Sequence, residues 1–240
     1  MNTEPPASPA LTPSSEGAPG SRKAHAFLRR LASSLILWTA VLLALFSKHP
    51  AVAQWVFLAI MTVLATAGLM EFYGLARKRG LPCFPGCGLV GGLLLMVGTF
   101  LHCTGQLGIH GSPARVNDFE TSFLIVFVLG LAVRLLVAGP TGQGIPALAV
   151  SLLGLMYVPW LLNFIQKIHF FPGIEGLGKY YVLYFLVVTK LSDTGAYVVG
   201  SLCGRHKLAP RLSPGKTWEG LVGALGLSTA SSLSLAALLG

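Results

Sequence analysis

Thr189 to Gly220 reads TKLSDTGAYVVGSLCGRHKLAPRLSPGKTWEG, where charged, hydroxyl and glycine residues gather inside an otherwise apolar chain. Lys190 and Asp193 lie in an apolar run that leads in from Tyr180 and continues through Ala196 to Val199. A charge at the centre of a membrane-spanning helix costs roughly 2.5–3.5 kcal/mol on insertion scales, so such residues usually mark a function. On a helix, Lys190, Asp193 and Tyr197 fall at spacings of three and four and share one face. Two readings are open: a carboxylate and an ammonium set aside for a substrate, or an intrahelical pair in which Lys190 and Asp193 neutralise each other.

The second half of the stretch, Arg205 to Glu219, is polar and basic. Ser213-Pro214 predicts a helix start, because Ser is a favoured N-cap and Pro is tolerated at the first helical position, where its missing N–H has no partner to lose. Glu219 then falls early in that helix, where a negative charge suits the dipole. Free N–H groups at a helix start suit phosphate, and Lys216 and Thr217 would add an ammonium and a hydroxyl, preceded by Arg205, Lys207 and Arg211. The plainer alternative is a basic loop held at the membrane surface by lipid phosphates. Gly215-Lys216-Thr217 is not a nucleotide P-loop. That motif needs a glycine where Pro210 stands, and a preceding strand in an α/β domain.

Asp193-Thr194-Gly195-Ala196-Tyr197, Gly200, Gly204, Lys207-Leu208-Ala209-Pro210 and Ser213-Pro214-Gly215-Lys216-Thr217-Trp218-Glu219-Gly220 together resemble the central region of the phosphatidate cytidylyltransferase (CDP-diacylglycerol synthase) family. Weaker similarity reaches back through Gly154-Leu155-Met156-Tyr157-Val158-Pro159 to Glu71-Phe72-Tyr73-Gly74-Leu75-Ala76. The resemblance implies transfer of CMP from CTP to phosphatidate, giving CDP-diacylglycerol and pyrophosphate, with Mg²⁺ as cofactor. It implies Asp193 as metal ligand and catalytic carboxylate, and Lys216 as catalytic cation. Lys207, Ser213 and Thr217 would meet the phosphates of CTP, and Lys190 the lipid phosphate unless it pairs with Asp193. It further implies a bacterial inner membrane location and is compatible with a homodimer. The family carries a further motif downstream, with a Lys-Asp pair, a Pro-Gly-His-Gly-Gly turn and closing aspartates. These 240 residues contain no such motif, so the expectation is a shortened member of the family. The rival readings are a CTP-dependent lipid kinase such as a polyprenol kinase, or a membrane protein without catalytic activity.

These residues need a membrane scaffold to position them. The chain is 53% hydrophobic and 10% charged, against about 25% charged in soluble domains. It is therefore expected to be an all-α, polytopic integral membrane protein of about seven transmembrane helices, at 31–46, 51–70, 84–101, 123–137, 146–165, 180–201 and 218–240. Residues 1–30 read as a disordered cytosolic tail, rich in Pro, Ser, Gly and Ala over the first twenty. Small residues at Gly91-Gly92 and at Gly220, Gly223, Ala224 and Gly226 predict close helix contacts, and Pro159 predicts a kink. The four cysteines read as free thiols. The net charge of +9 comes from residues flanking the spans and does not indicate nucleic acid. With the N-terminus inside, the inner segments carry Arg22, Lys23, Arg29, Arg30, Arg77, Lys78, Arg79, Arg134, Arg205, Lys207, Arg211 and Lys216. The outer ones carry Lys48, Arg115, Lys167 and Lys179. That bias predicts a cytosolic face for the 202–217 loop.

Overall fold

The computed structural model describes residues 38, 39, 41–43, 45–106, 113–137, 144–171, 176–211 and 213–239. The tail 1–30 and most of the expected first span, 31–46, lie outside them. The chain divides into two compact units, Met1–Ala53 and Gln54–Gly240, and apart from the first turn of the helix that begins at Pro50 the second carries everything described below.

Helix α1 spans Pro50–Lys78, α2 Pro85–Cys103 and α3 Pro113–Val137. Helix α4, Gly144–Leu155, runs through a π-helical turn, Met156–Trp160, into α5, Leu161–His169. Helix α6 spans Gly178–Cys203, and a two-stranded hairpin, β1 Lys207–Ala209 and β2 Ser213–Thr217, leads into α7, Trp218–Leu239. Among the described residues six helical rods are long and apolar enough to cross a bilayer, and the protein is a multi-pass, mostly helical membrane protein. Alternate crossings put the end of α1, the start of α2, the end of α3, the start of α4, the end of α6 and the start of α7 at one end of the bundle. This end carries the hairpin.

Two differences from the sequence reading have plain causes. The helix of the fourth span begins at Pro113, because the polar residues Asn117, Asp118 and Glu120, outside the expected 123–137, form its first turns. The expected bend at Pro159 takes the form of the π turn. A proline inside a helix lacks an N–H and crowds the carbonyl four residues back, and a widened turn accommodates both.

The core lies among α1 to α5, where Leu69 and Tyr73 of α1, Leu95, Met96 and Phe100 of α2, and Leu155 of α4 are almost wholly buried. Tyr73 fits because its neighbours lack side chains. A Cβ added at Gly154 would come within 2.7 Å of its ring, and Gly88 is equally close-packed against it. The phenol donates to the Ser151 carbonyl at 2.7 Å, while Ser151 Oγ accepts the Phe84 N–H at 2.7 Å. Gly91 abuts Phe127 and Gly92 abuts Leu69, as the paired glycines predicted.

At the opposite end a buried polar network ties α2, α3 and α5 together. Asn163 Nδ2 donates to Thr99 Oγ1 at 2.8 Å and to Glu120 Oε1 at 3.3 Å, and Gln166 Nε2 donates to Asn163 Oδ1 at 2.9 Å. Lys167 Nζ lies 2.5 Å from Glu120 Oε2 and donates to Asn117 Oδ1 at 3.1 Å. Polar groups without water must satisfy one another at bilayer depth, and Glu120 is only 4% exposed. Removing one member of a buried ion pair typically costs about 3–5 kcal/mol, whereas replacing both by apolar groups is often neutral. Glu120→Leu should therefore lower the unfolding free energy in detergent by about that amount, and the Glu120→Leu/Lys167→Leu double variant should recover most of it. Equal losses in single and double variants would reduce the pair to ordinary packing.

Candidate functional site at the hairpin end of α6 and α7

Helices α6 and α7 cross closely because glycines meet at the contact. A Cβ on Gly195 would lie 2.5 Å from the Gly223 carbonyl oxygen, and one on Gly223 would lie 2.5 Å from Val199 Cβ. Both positions thus exclude even alanine without a backbone shift. Gly220 packs on the same seam, beside the Ala196 carbonyl. Gly226, expected on this face, has open space around it, and Ala224 lines the cavity described below. Tyr184 near the start of α6 hydrogen-bonds Ser232 near the end of α7, closing the pair at its far end.

The predicted helix start at Ser213-Pro214 is corrected. Ser213 opens strand β2, opposite Ala209, and Thr217 lies opposite Lys207. One residue, Leu208, lies between these pairs on β1, and three, Pro214, Gly215 and Lys216, lie between them on β2. The excess forms a bulge. Pro has no ladder N–H to lose there, so Ser-Pro serves a bulged edge as well as it serves a helix start. The true cap is Thr217, whose Oγ1 accepts the Gly220 N–H at 3.1 Å, and α7 begins at Trp218.

The correction changes the electrostatics. The Trp218 N–H donates to the His206 carbonyl at 3.0 Å and the Gly220 N–H is held by Thr217, so the first turn of α7 does not offer the open set of donors expected. Glu219 works back toward the loop. Its carboxylate accepts the N–H groups of Arg205 and His206 at 3.2 Å each, and lies 2.6 Å from His206 Nδ1. Cationic side chains must therefore supply any anion site here. Arg205, Lys207, Arg211 and Lys216 are all exposed, and among the described residues none has a carboxylate partner.

A cavity of about 520 Å³ opens between α6, α7 and the hairpin. Asp193, Tyr197, Lys216 and Thr217 line it, with Ala196, Leu221 and Ala224 as apolar walls. It thus brings together three of the expected site residues, Asp193, Lys216 and Thr217. Asp193 and Lys216 are exposed, with no hydrogen-bond or ion-pair partner among the described residues, while Thr217 is buried with its hydroxyl engaged as the cap. Lys190, Lys207 and Ser213 are not brought into the lining. Lys190 is exposed one turn earlier on α6, forms no ion pair with Asp193, and so does not bear out the self-neutralising reading. Lys207 is exposed on β1 and Ser213 half-buried on β2. Tyr197 and the Glu219 clasp were not assigned roles by sequence reasoning. The spacing from Asp193 pointed to Tyr197, whereas no local signal links Glu219 to a loop thirteen residues before it. Among the described residues no group of three or more His, Cys, Asp or Glu is placed to hold a metal ion.

Fold and site thus define a polytopic membrane protein with an amphipathic cavity, carrying one carboxylate and one ammonium, at one end of its helices. The chain belongs to the Cytidylyltransferase family, whose model matches residues 28–240. It is 27% identical over 206 residues to the phosphatidate cytidylyltransferase of Haemophilus influenzae, a match covering 82% of this chain and 68% of that one. Shorter matches to phosphatidate cytidylyltransferases reach 48% identity over 56 residues in Staphylococcus haemolyticus and 54% over 48 in Staphylococcus saprophyticus. They cover 23% and 20% of this chain, and 22% and 18% of those relatives. No solved structure matches the chain.

Glu219→Ala should release the 204–206 loop while α6 and α7 stay packed. Hydrogen exchange of the Arg205 and His206 amides should accelerate at least about tenfold, with the melting temperature little changed. Unaltered exchange at those amides would show that the hairpin holds itself.

Proposed function

We propose that the protein transfers CMP from CTP to phosphatidate, yielding CDP-diacylglycerol and pyrophosphate. The observation that carries this reading is the cavity itself. It combines a free carboxylate and a free ammonium, Asp193 and Lys216, with apolar walls on two membrane-spanning helices. A soluble triphosphate and an acidic glycerolipid need such a meeting place, and the family membership and the activity named for its relatives point the same way.

A phosphate oxygen of phosphatidate would attack the α-phosphorus of CTP. A P–O bond forms there, and the bond from the α-phosphorus to the bridging oxygen breaks, so the β- and γ-phosphates leave as pyrophosphate. The attacking oxygen is already anionic, so the protein's task is to position and neutralise two anions. Lys216 would meet the phosphates from the bulge, with Lys207 reaching in from β1 and Ser213 close along β2. Lys190, one turn deeper on α6, would face the lipid phosphate. Thr217 keeps its hydroxyl proton to donate while its oxygen caps α7. Asp193 suits Mg²⁺, which is usually held by one or two carboxylates, with phosphates and water completing its shell. The ion, when bound, would neutralise charge on the phosphates.

We also infer a cytosolic hairpin in a bacterial inner membrane, which the excess of basic residues at that end supports. The exposed Cys203 at the end of α6 reports on it. As the only cysteine, it should react with a membrane-impermeant maleimide in inverted vesicles and not in intact spheroplasts, and the reverse pattern would overturn the orientation.

With the complete gene product in proteoliposomes, CTP labelled at the α-phosphate should deliver its label to the lipid. Label left in CDP would indicate a lipid kinase instead. Lys216→Ala should reduce transfer roughly a hundredfold or more, in the range for lost transition-state charge stabilisation, and Asp193→Asn should raise the Mg²⁺ requirement. Wild-type rates for Lys216→Ala would remove Lys216 from the site, and an unchanged Mg²⁺ dependence would leave Asp193 a structural residue.

A further inference from the structure

Helices α2 and α3 border a second, open cavity, of about 510 Å³, that shares no residue with the first. Val90 and Leu94 of α2 and Phe123, Val126 and Phe127 of α3 give it apolar walls, and Arg134 stands at one end. The groove exists because side chains are missing where they would fill it. A Cβ added at Gly86 or at Gly130 meets nothing within 4 Å. Phe123 and Phe127 stack along one wall, with ring centroids 6.2 Å apart and an interplanar angle of 17°.

Length and charge specify the occupant. From Phe123 to Arg134 the groove follows eleven residues of helix, roughly 16 Å at about 1.5 Å per residue. That is half of a hydrocarbon core of about 30 Å, the depth of one leaflet. Arg134 lies three residues before the end of α3, at the end of the bundle that carries the hairpin. Its guanidinium carbon sits 5.1 Å from the Phe84 ring centroid, and among the described residues it has no carboxylate partner. An apolar slot one leaflet deep, closed by an uncompensated cation, matches an acyl chain joined to a phosphate.

We propose that this groove holds a resident anionic glycerophospholipid, one acyl chain between α2 and α3 and its phosphodiester on Arg134, as a site separate from the α6–α7 cavity. A zwitterionic lipid would fill the slot equally well but would bring its own cation to Arg134. The site therefore discriminates by headgroup charge, and it does not depend on the reaction proposed above.

Native mass spectrometry of the full chain with added dioleoylphosphatidylglycerol or dioleoylphosphatidylcholine tests this. The wild type should bind one phosphatidylglycerol more tightly than phosphatidylcholine. Arg134→Gln should lose roughly fivefold in affinity for phosphatidylglycerol only, the effect of about 1 kcal/mol for one basic residue beside an anionic headgroup. Arg134→Lys should restore most of it. Gly130→Leu, which grows into open space, should reduce binding of both lipids. Equal wild-type affinity for the two lipids, or phosphatidylglycerol binding unchanged in Arg134→Gln, would overturn the proposal. So would a Gly130→Leu variant that changes from dimer to monomer with its lipid stoichiometry intact, since the groove would then be a subunit interface.

Discussion

The site depends on how closely two helix backbones approach. Where Gly195 of α6 meets Gly223 of α7, no room remains for even a methyl group. Lipid tails are as apolar as leucine, so helices in a bilayer gain little by burying apolar faces and associate through close packing and hydrogen bonds. The glycine seam gives α6 and α7 that contact directly. It also fixes the separation of Asp193, two residues before Gly195, from the hairpin that feeds α7. A wider crossing would move the carboxylate away from Lys216 without altering either residue.

The two ends of the bundle treat charge in opposite ways. At the end remote from the hairpin, Lys167 is matched to Glu120 and Asn117, and Asn163 and Gln166 complete the network. The buried charges there are matched inside the protein. At the hairpin end Glu219 is committed to the loop backbone and His206, and among the described residues the side chains of Arg205, Lys207, Arg211 and Lys216 have no carboxylate partner. Arg134 at the same end likewise has no carboxylate partner among the described residues. Internally neutralised charge stabilises a fold, whereas unmatched cations at a membrane surface attract anions. The asymmetry separates the scaffold's polar groups from those left for ligands.

The spans were legible because apolar runs of about twenty residues have few alternatives to a membrane helix, and Gly91-Gly92 was legible because paired glycines in such a run imply contact. Tyr73 was carried in the resemblance only as part of a motif. The structure explains its company, since the weakly similar blocks at 71–76 and 154–159 touch where Tyr73 fills the space beside Gly154. What failed to show was long-range or locally ambiguous. Glu120 looked like loop because Asn117 and Asp118 beside it are polar, and its partners lie 43 and 47 residues away. Ser213-Pro214 satisfied the rules for a helix start, yet pairing with Lys207–Ala209 outweighed them and moved the cap four residues on to Thr217. The Glu219 clasp needed the hairpin's closure to bring residues 205, 206 and 219 together.

The bulged hairpin also explains how Lys216 comes to line the cavity. A continuous helix from Ser213 would have pointed Pro214, Lys216 and Thr217 around a cylinder and sent only some of them toward α6. The bulge instead holds Gly215 and Lys216 in the cavity lining beside Thr217, whose hydroxyl is turned in to cap α7. One threonine thereby closes the strand, starts the helix and lines the cavity. Gly200, Gly204 and Gly220 crowd its hydroxyl oxygen, since a Cβ on any of them would lie within 3.2 Å of it. These glycines recur in the stretch because they surround a buried side chain, and the resemblance over Asp193 to Gly220 reflects that packing as much as any direct contact with substrate.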